Sequence, residues 1–164
     1  MKLYGVVGRK DQGKTTLITG LVSHFAAQGL RVSTLKHAHK GFDVDQPGRD
    51  SHAHRLAGAG QVLVSSPNRW ALMTELRGAQ EAPLDLLLAQ LAPVDLVLVE
   101  GYKQAPHPKI EVYRQDRGEA PLAGGNPTIK ALAGDPGGHA VPVPVWSVDD
   151  VAGLARFIAR EVDL

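Results

Sequence analysis

Apolar residues along this chain come in two rhythms, short unbroken runs and longer stretches with helical spacing. Leu3 to Val7 is a β-rich apolar run that stops at Gly8, the pattern of a strand buried on both faces of a parallel sheet. From Lys14 to Gln28 the residues Leu17, Ile18, Leu21, Val22, Phe25 and Ala26 recur at helical spacing, and Gly29 follows as a stop. Arg31 to Leu35 predicts a second strand. The resulting strand, loop, helix and strand form a unit that a parallel sheet closes with a right-handed crossover.

Lys36 to Arg49 is polar, rich in His and Asp and broken by Gly41, Pro47 and Gly48, which predicts a loop. Asp50 is placed to cap a helix running to about Ala59. Strands are expected at Gln61 to Ser65 and Trp70 to Glu75, and a helix opened by Pro83 at Leu84 to Leu91. Val94 to Val99 is the most strand-like run and ends at Glu100-Gly101. Ile110 to Tyr113 and Ile129 to Ala133 read as further strands. Val141 to Val145 precedes a last helix from about Asp149 to Glu161. The alternation predicts an α/β fold, a largely parallel sheet with helices on both faces, in one domain over residues 1–164.

Composition narrows the chemistry. With 43% hydrophobic and 21% charged residues the chain is globular, and a formal net charge of +1 gives no broad field for nucleic acid or an anionic membrane. No cysteine is present, which removes disulfides, thiolate metal sites and cysteine nucleophiles. No run is long enough to span a bilayer, and the opening run leads straight into a functional-looking loop, so the cytoplasm is expected.

Gly8-Arg9-Lys10-Asp11-Gln12-Gly13-Lys14-Thr15 matches G-x-x-x-x-G-K-[ST] and stands between a strand and a helix, where the mechanism requires it. Such a loop turns backbone N–H groups toward phosphate oxygens, the helix N-terminus adds partial positive charge, and Lys14 reaches the terminal phosphates. Thr15 offers its hydroxyl to Mg²⁺. These eight residues and Thr16 are the candidate phosphate-binding set, although for Arg9 and Lys10 solvent and a partner subunit stay open as alternatives. Glu100, at the carboxyl end of a strand, is the candidate acid on the metal side.

With that loop go Lys36-His37-Ala38-His39, Phe42 to Ser51, Ala57-Gly58-Ala59 and Leu98-Val99-Glu100-Gly101-Tyr102-Lys103. Together these motifs resemble the MobB family, the B component of molybdopterin-guanine dinucleotide biosynthesis. The resemblance extends through Pro108 to Val112 and on to Ala131-Leu132-Ala133-Gly134-Asp135. It implies a P-loop fold and a homodimer that binds GTP with Mg²⁺ and hydrolyses it weakly beside the molybdopterin guanylyltransferase. Carried over by position, Gly13, Lys14 and Thr15 hold phosphate and metal, Glu100 and Gly101 face the γ-phosphate, and Asp135 is a candidate reader of the purine. Guanine rests on the resemblance, because the Asn-Lys-x-Asp signature is absent. The departure is Arg9-Lys10-Asp11-Gln12, where many relatives carry smaller residues.

Three further sets have two readings each. Asp43 and Asp45 can serve the metal side and orient water, which makes Asp45 a candidate catalytic residue beside Lys14 and Glu100; turn chemistry is the other reading. His37, His39, His52 and His54 suggest a metal site, but His52 and His54 would diverge by about 200° on a helix. Lys103, His107 and Lys109 read either as a site for a pterin phosphate or a partner, or as a solvated basic loop. A small-molecule kinase using ATP and a nucleotide-responsive adaptor without turnover are the rival classes.

Overall fold

The computed structural model describes residues 1–38, 41–115 and 118–164. Its chain contacts separate into two compact units, one made of Met1–His37 with Leu91–Leu164, the other of Ala38–Gln90.

The first unit is a six-stranded sheet. Its strands are β1 (Lys2–Val7), β2 (Val32–Lys36), β5 (Leu96–Glu100), β6 (Lys109–Tyr113), β7 (Ile129–Gly134) and β8 (Val145–Trp146), in the order β2-β5-β1-β6-β7-β8. Every pairing among them is parallel, so the α/β class and largely parallel sheet are as the pattern of runs predicts. Strand β1 lies between β5 and β6, and the loop after it therefore opens near the middle of the sheet's carboxyl edge.

Two helices cover one face. α1 (Lys14–Ala27) buries Leu17, Ile18, Leu21 and Phe25, and α4 (Val151–Glu161) buries Leu154, Ala155 and Ile158. Both meet Tyr4, Val6, Leu96, Leu98, Ile110, Val112, Ala131 and Ala133 in one core. Alternation along β1 sends Val7 into a smaller cluster with Ala123 and Ile129, beside a 3-10 turn at Leu122–Gly124. Complete burial of a Leu or Ile stabilises by about 1.5–3 kcal/mol, so the larger cluster is what fixes α1 against the sheet. Asp150 caps α4 by accepting from the Gly153 N–H at 2.8 Å. Short strand β8, which the run at Val141 to Val145 did not reveal, closes the far edge of the sheet.

The second unit contains α2 (Asp50–Leu56), the antiparallel pair β3 (Gln61–Ser65) and β4 (Trp70–Thr74), and α3 (Leu84–Leu88). Both helices stop a turn or so earlier than their apolar spacing predicts. Asp50 is not the cap of α2 but its first helical residue; Arg49 holds the cap position, extended and without a side-chain bond to the helix. A partly buried arginine organises the segment before α2. Arg55 meets Asp43 at 2.9 Å, Asp45 at 3.3 Å and Glu75 at 3.1 Å.

Candidate functional site

The loop at residues 8–13 is held open by backbone that side chains resist. Gly8 and Gly13 have φ of 146° and 94°, and a Cβ on Gly8 would collide with the Val112 carbonyl oxygen. Asp11, a non-glycine, is also left-handed at φ 63°. Gln12 is the residue that staples the loop. It is buried, its Oε1 accepts from the Arg9 N–H at 3.1 Å, and its Nε2 donates to the Arg114 carbonyl at 3.4 Å. Gln12 is thus a scaffold of the loop.

The first turn of α1 carries no capping side chain and no acid. Among the described residues no side chain caps these N–H groups, and the helix's partial positive charge there suits a phosphate. Lys14 folds back over the loop and donates to the Arg9 carbonyl at 2.6 Å. Burial holds its pKa below the usual lysine value; Glu100 pushes it up, and the ammonium groups of Lys103 and Lys36 pull it down.

Thr15 and Glu100 are 85 residues apart in sequence and meet here. The Thr15 hydroxyl lies 3.3 Å from Glu100 Oε2 and 3.5 Å from Oε1. An oxygen pair of this kind suits a hard divalent ion, and Mg²⁺ fits the donor set: a hydroxyl, a carboxylate, and phosphate oxygens to complete it. Glu100 is the last residue of β5, with its side chain 13% exposed, and Lys36 Nζ lies 3.2 Å from its Oε1. The turn beyond it is tight. Gly101 and Tyr102 have φ of 95° and 50°, the His37 N–H donates to the Glu100 carbonyl at 2.9 Å, and the His37 and Tyr102 rings pack at a tilt 4.8 Å apart.

The remaining candidates divide. Arg9 turns away to an ion pair with Glu119 and a bond to the Ala120 carbonyl, so it braces the loop against a neighbouring segment. Lys10 is exposed beside Asp11, and Thr16 is exposed on the first turn. Asp135 follows β7, exposed at the same carboxyl edge, with Oδ1 accepting from the Gly137 N–H at 2.8 Å. Asp45 lies in the second unit, bound by Arg55, the Ser51 hydroxyl and the Gln46 N–H. Among the described residues no group of three His, Asp or Glu side chains is arranged to hold a metal; His39 lies outside them.

The basic set after Glu100 is corrected by the structure. His107 and Lys109 are buried, the latter completely, and neither belongs to a solvated loop or an open ligand surface. Lys109 donates to the Ala105 carbonyl, to the His107 carbonyl at 2.6 Å and to Thr128 Oγ1 at 2.9 Å. Its pKa is drawn down by burial to about 8. Glu111, two residues on, accepts from the Leu122 and Ala123 N–H groups at 2.8 Å each. Burial raises its pKa and these bonds oppose the rise. Alternation places His107, Lys109 and Glu111 on one side of β6, a period-two pattern that His107-Pro108-Lys109-Ile110-Glu111 already contains. Lys36 was the site residue missed, because only pairing with β5 brings it to Glu100.

The family model for molybdopterin guanine dinucleotide synthesis protein B matches residues 3–135. The chain is 40% identical over 156 residues to the molybdopterin-guanine dinucleotide biosynthesis adapter protein of Escherichia coli, covering 90% of this chain and 86% of that one. It is 43% identical over 116 residues to the Haemophilus influenzae adapter protein, covering 70% and 64% respectively. A crystal structure of a MobB homologue from Bacillus stearothermophilus superposes with a TM-score of 0.74 at 31% identity, over 99% of both chains. The match includes the phosphate loop, Lys36 and Glu100, and on these findings the chain belongs to the molybdopterin guanine dinucleotide synthesis protein B family.

Proposed function

We propose that this chain binds GTP with Mg²⁺ at the loop of residues 8–15 and serves as an accessory protein in molybdopterin-guanine dinucleotide biosynthesis. The observation that carries the reading is the uncapped, acid-free N-terminus of α1 with Lys14 above it and the Thr15–Glu100 pair beside it. Main-chain N–H groups and the Lys14 ammonium would stabilise phosphate charge, and Thr15 and Glu100 would hold Mg²⁺, which supplies further charge neutralisation when bound. Slow hydrolysis at the γ-phosphate follows from such positioning. Asp45, carried by the second unit, is the candidate to orient water; Gly101 would face the γ-phosphate, and Asp135, at the carboxyl end of β7, would read the purine.

The relatives are named adapter proteins, which supports a partner in the pathway, the guanylyltransferase that joins GMP to molybdopterin. A homodimer is part of the same reading. On one face of the β3–β4 pair Leu63, Leu72 and Trp70 are 61%, 42% and 66% exposed, an apolar surface suited to a protein contact. Among the described residues no helix is long and apolar enough to cross a membrane, and a cytoplasmic site of action is part of the proposal.

Calorimetric titration with non-hydrolysable GTP and ATP analogues, with and without Mg²⁺, tests the nucleotide assignment. Mg²⁺-dependent preference for the guanine analogue is expected. Preference for adenine would favour a kinase, and no binding would sink the proposal. Lys14→Ala should weaken triphosphate binding by about 100-fold or more, since it removes a charge-assisted contact, while leaving the circular dichroism spectrum unchanged.

A further inference from the structure

Glu100 carries more positive charge around it than one acid requires. Lys36 is bonded to its carboxylate, and Lys14 lies close enough to Glu100, Lys36 and Lys103 for all three to act on it. Of these cations Lys36 has the most rigid mounting. Its backbone pairs in register with Glu100 across the β2–β5 ladder, and the following His37 N–H is bonded to the Glu100 carbonyl at 2.9 Å. The His37 ring packs at a tilt against Tyr102, in the turn that follows Glu100. Yet the Lys36 side chain is 59% exposed, so its ammonium can swing without disturbing the core.

Among the described residues the Glu100 carboxylate thus meets the Thr15 hydroxyl and the Lys36 ammonium. A divalent ion held by Thr15 and Glu100 would compete directly with the Lys36 ion pair, because both draw on the same carboxylate. A lysine displaced from its carboxylate beside a phosphate loop has one favourable alternative, the charge at the free end of the phosphate chain.

We infer that Lys36 is a reader of the terminal phosphate: it neutralises Glu100 until the metal arrives, then passes to the γ-phosphate. This rests on the proposed Mg²⁺–triphosphate site and adds to it a discrimination between nucleoside triphosphate and diphosphate. Lys14, drawn in over the loop by its bond to the Arg9 carbonyl, serves phosphate generally. Lys36, carried by a different strand, responds only to the third phosphate.

The test is calorimetric titration of the full chain with a non-hydrolysable GTP analogue and with GDP, each with Mg²⁺, for the wild type, Lys36→Met and Lys36→Arg. Lys36→Met should lose roughly tenfold in triphosphate affinity, the worth of one exposed charge-assisted contact, and about twofold or less for the diphosphate. Lys36→Arg should restore most of the difference. Equal losses for both nucleotides, or none, in a folded Lys36→Met protein would overturn the inference while the phosphate-loop assignment stands. Tighter Mg²⁺ binding in Lys36→Met with unchanged triphosphate preference would reduce Lys36 to a competitor for Glu100, and also overturn it. A wild type that binds neither nucleotide removes the proposed site itself and this role with it.

Discussion

His107, Lys109 and Glu111 bring three titratable side chains into the interior of the sheet unit, whereas Leu63, Leu72 and Trp70 stand apolar and exposed on the β3–β4 pair of the second unit. In the sheet unit Lys109 and Glu111 find partners, mostly backbone: the Lys109 ammonium two carbonyls and a hydroxyl, the Glu111 carboxylate two N–H groups. Burial of charge is tolerable there because the interior supplies partners. Among the described residues none covers the apolar face of the hairpin, which fits a surface kept for another protein. Burial and exposure therefore follow task rather than residue type.

The contrast can be broken from the buried side first. Glu111→Ala leaves the Leu122 and Ala123 N–H groups without their acceptor, and a loss of about 3 kcal/mol in unfolding free energy is expected by urea denaturation. A loss under about 1 kcal/mol would mean that the 3-10 turn finds other acceptors with ease.

His107 sharpens the comparison through pH. Burial, then the nearby Lys109 charge, lowers its pKa from 6.5 to about 4, and neither ring nitrogen has a hydrogen-bond partner in the structure. The unfolded chain therefore takes up the proton first as the medium acidifies. The stabilisation is fully present above pH 6.5 and is lost as pH falls toward 4, up to about 3 kcal/mol at 1.36 kcal/mol per unit. His107→Phe should flatten the fall in thermal midpoint over that window; an unchanged slope would show that the imidazole takes no part.

On the exposed side, the double change Leu63→Ser and Trp70→Ser should leave nucleotide binding within about twofold and stability within about 1 kcal/mol, as for surface positions. Self-association measured by sedimentation should weaken by about tenfold or more, as for truncated apolar anchors. Unchanged association would move the protein contact away from this face.

What could be read in advance followed the reach of local rules. The strand, glycine loop and helix at residues 3–28 are consecutive, and their motif states its own structural context. Glu100 was legible because an acid ending an apolar run marks the carboxyl edge of a strand. Lys36 was not, since its role depends on which strand becomes the neighbour of β2, and that is settled by the sheet as a whole. The charge of the segment at His107 suits either a ligand or partner site or a solvated loop, and neither reading anticipates the burial of His107 and Lys109, which the alternation into β6 brings about. Arg55 joins Asp43, 12 residues before it, to Glu75, 20 residues after it, which no spacing rule anticipates.

Strands β2 and β5 lie side by side, yet the chain leaves the sheet after one and runs through the whole Ala38–Gln90 segment before returning as the other. Loop-closure entropy rises only with the logarithm of length, so doubling such an excursion costs about 0.6 kcal/mol. The sheet therefore loses little by the length of this path, and Lys36 is brought to Glu100 by strand pairing rather than by a short connection between them.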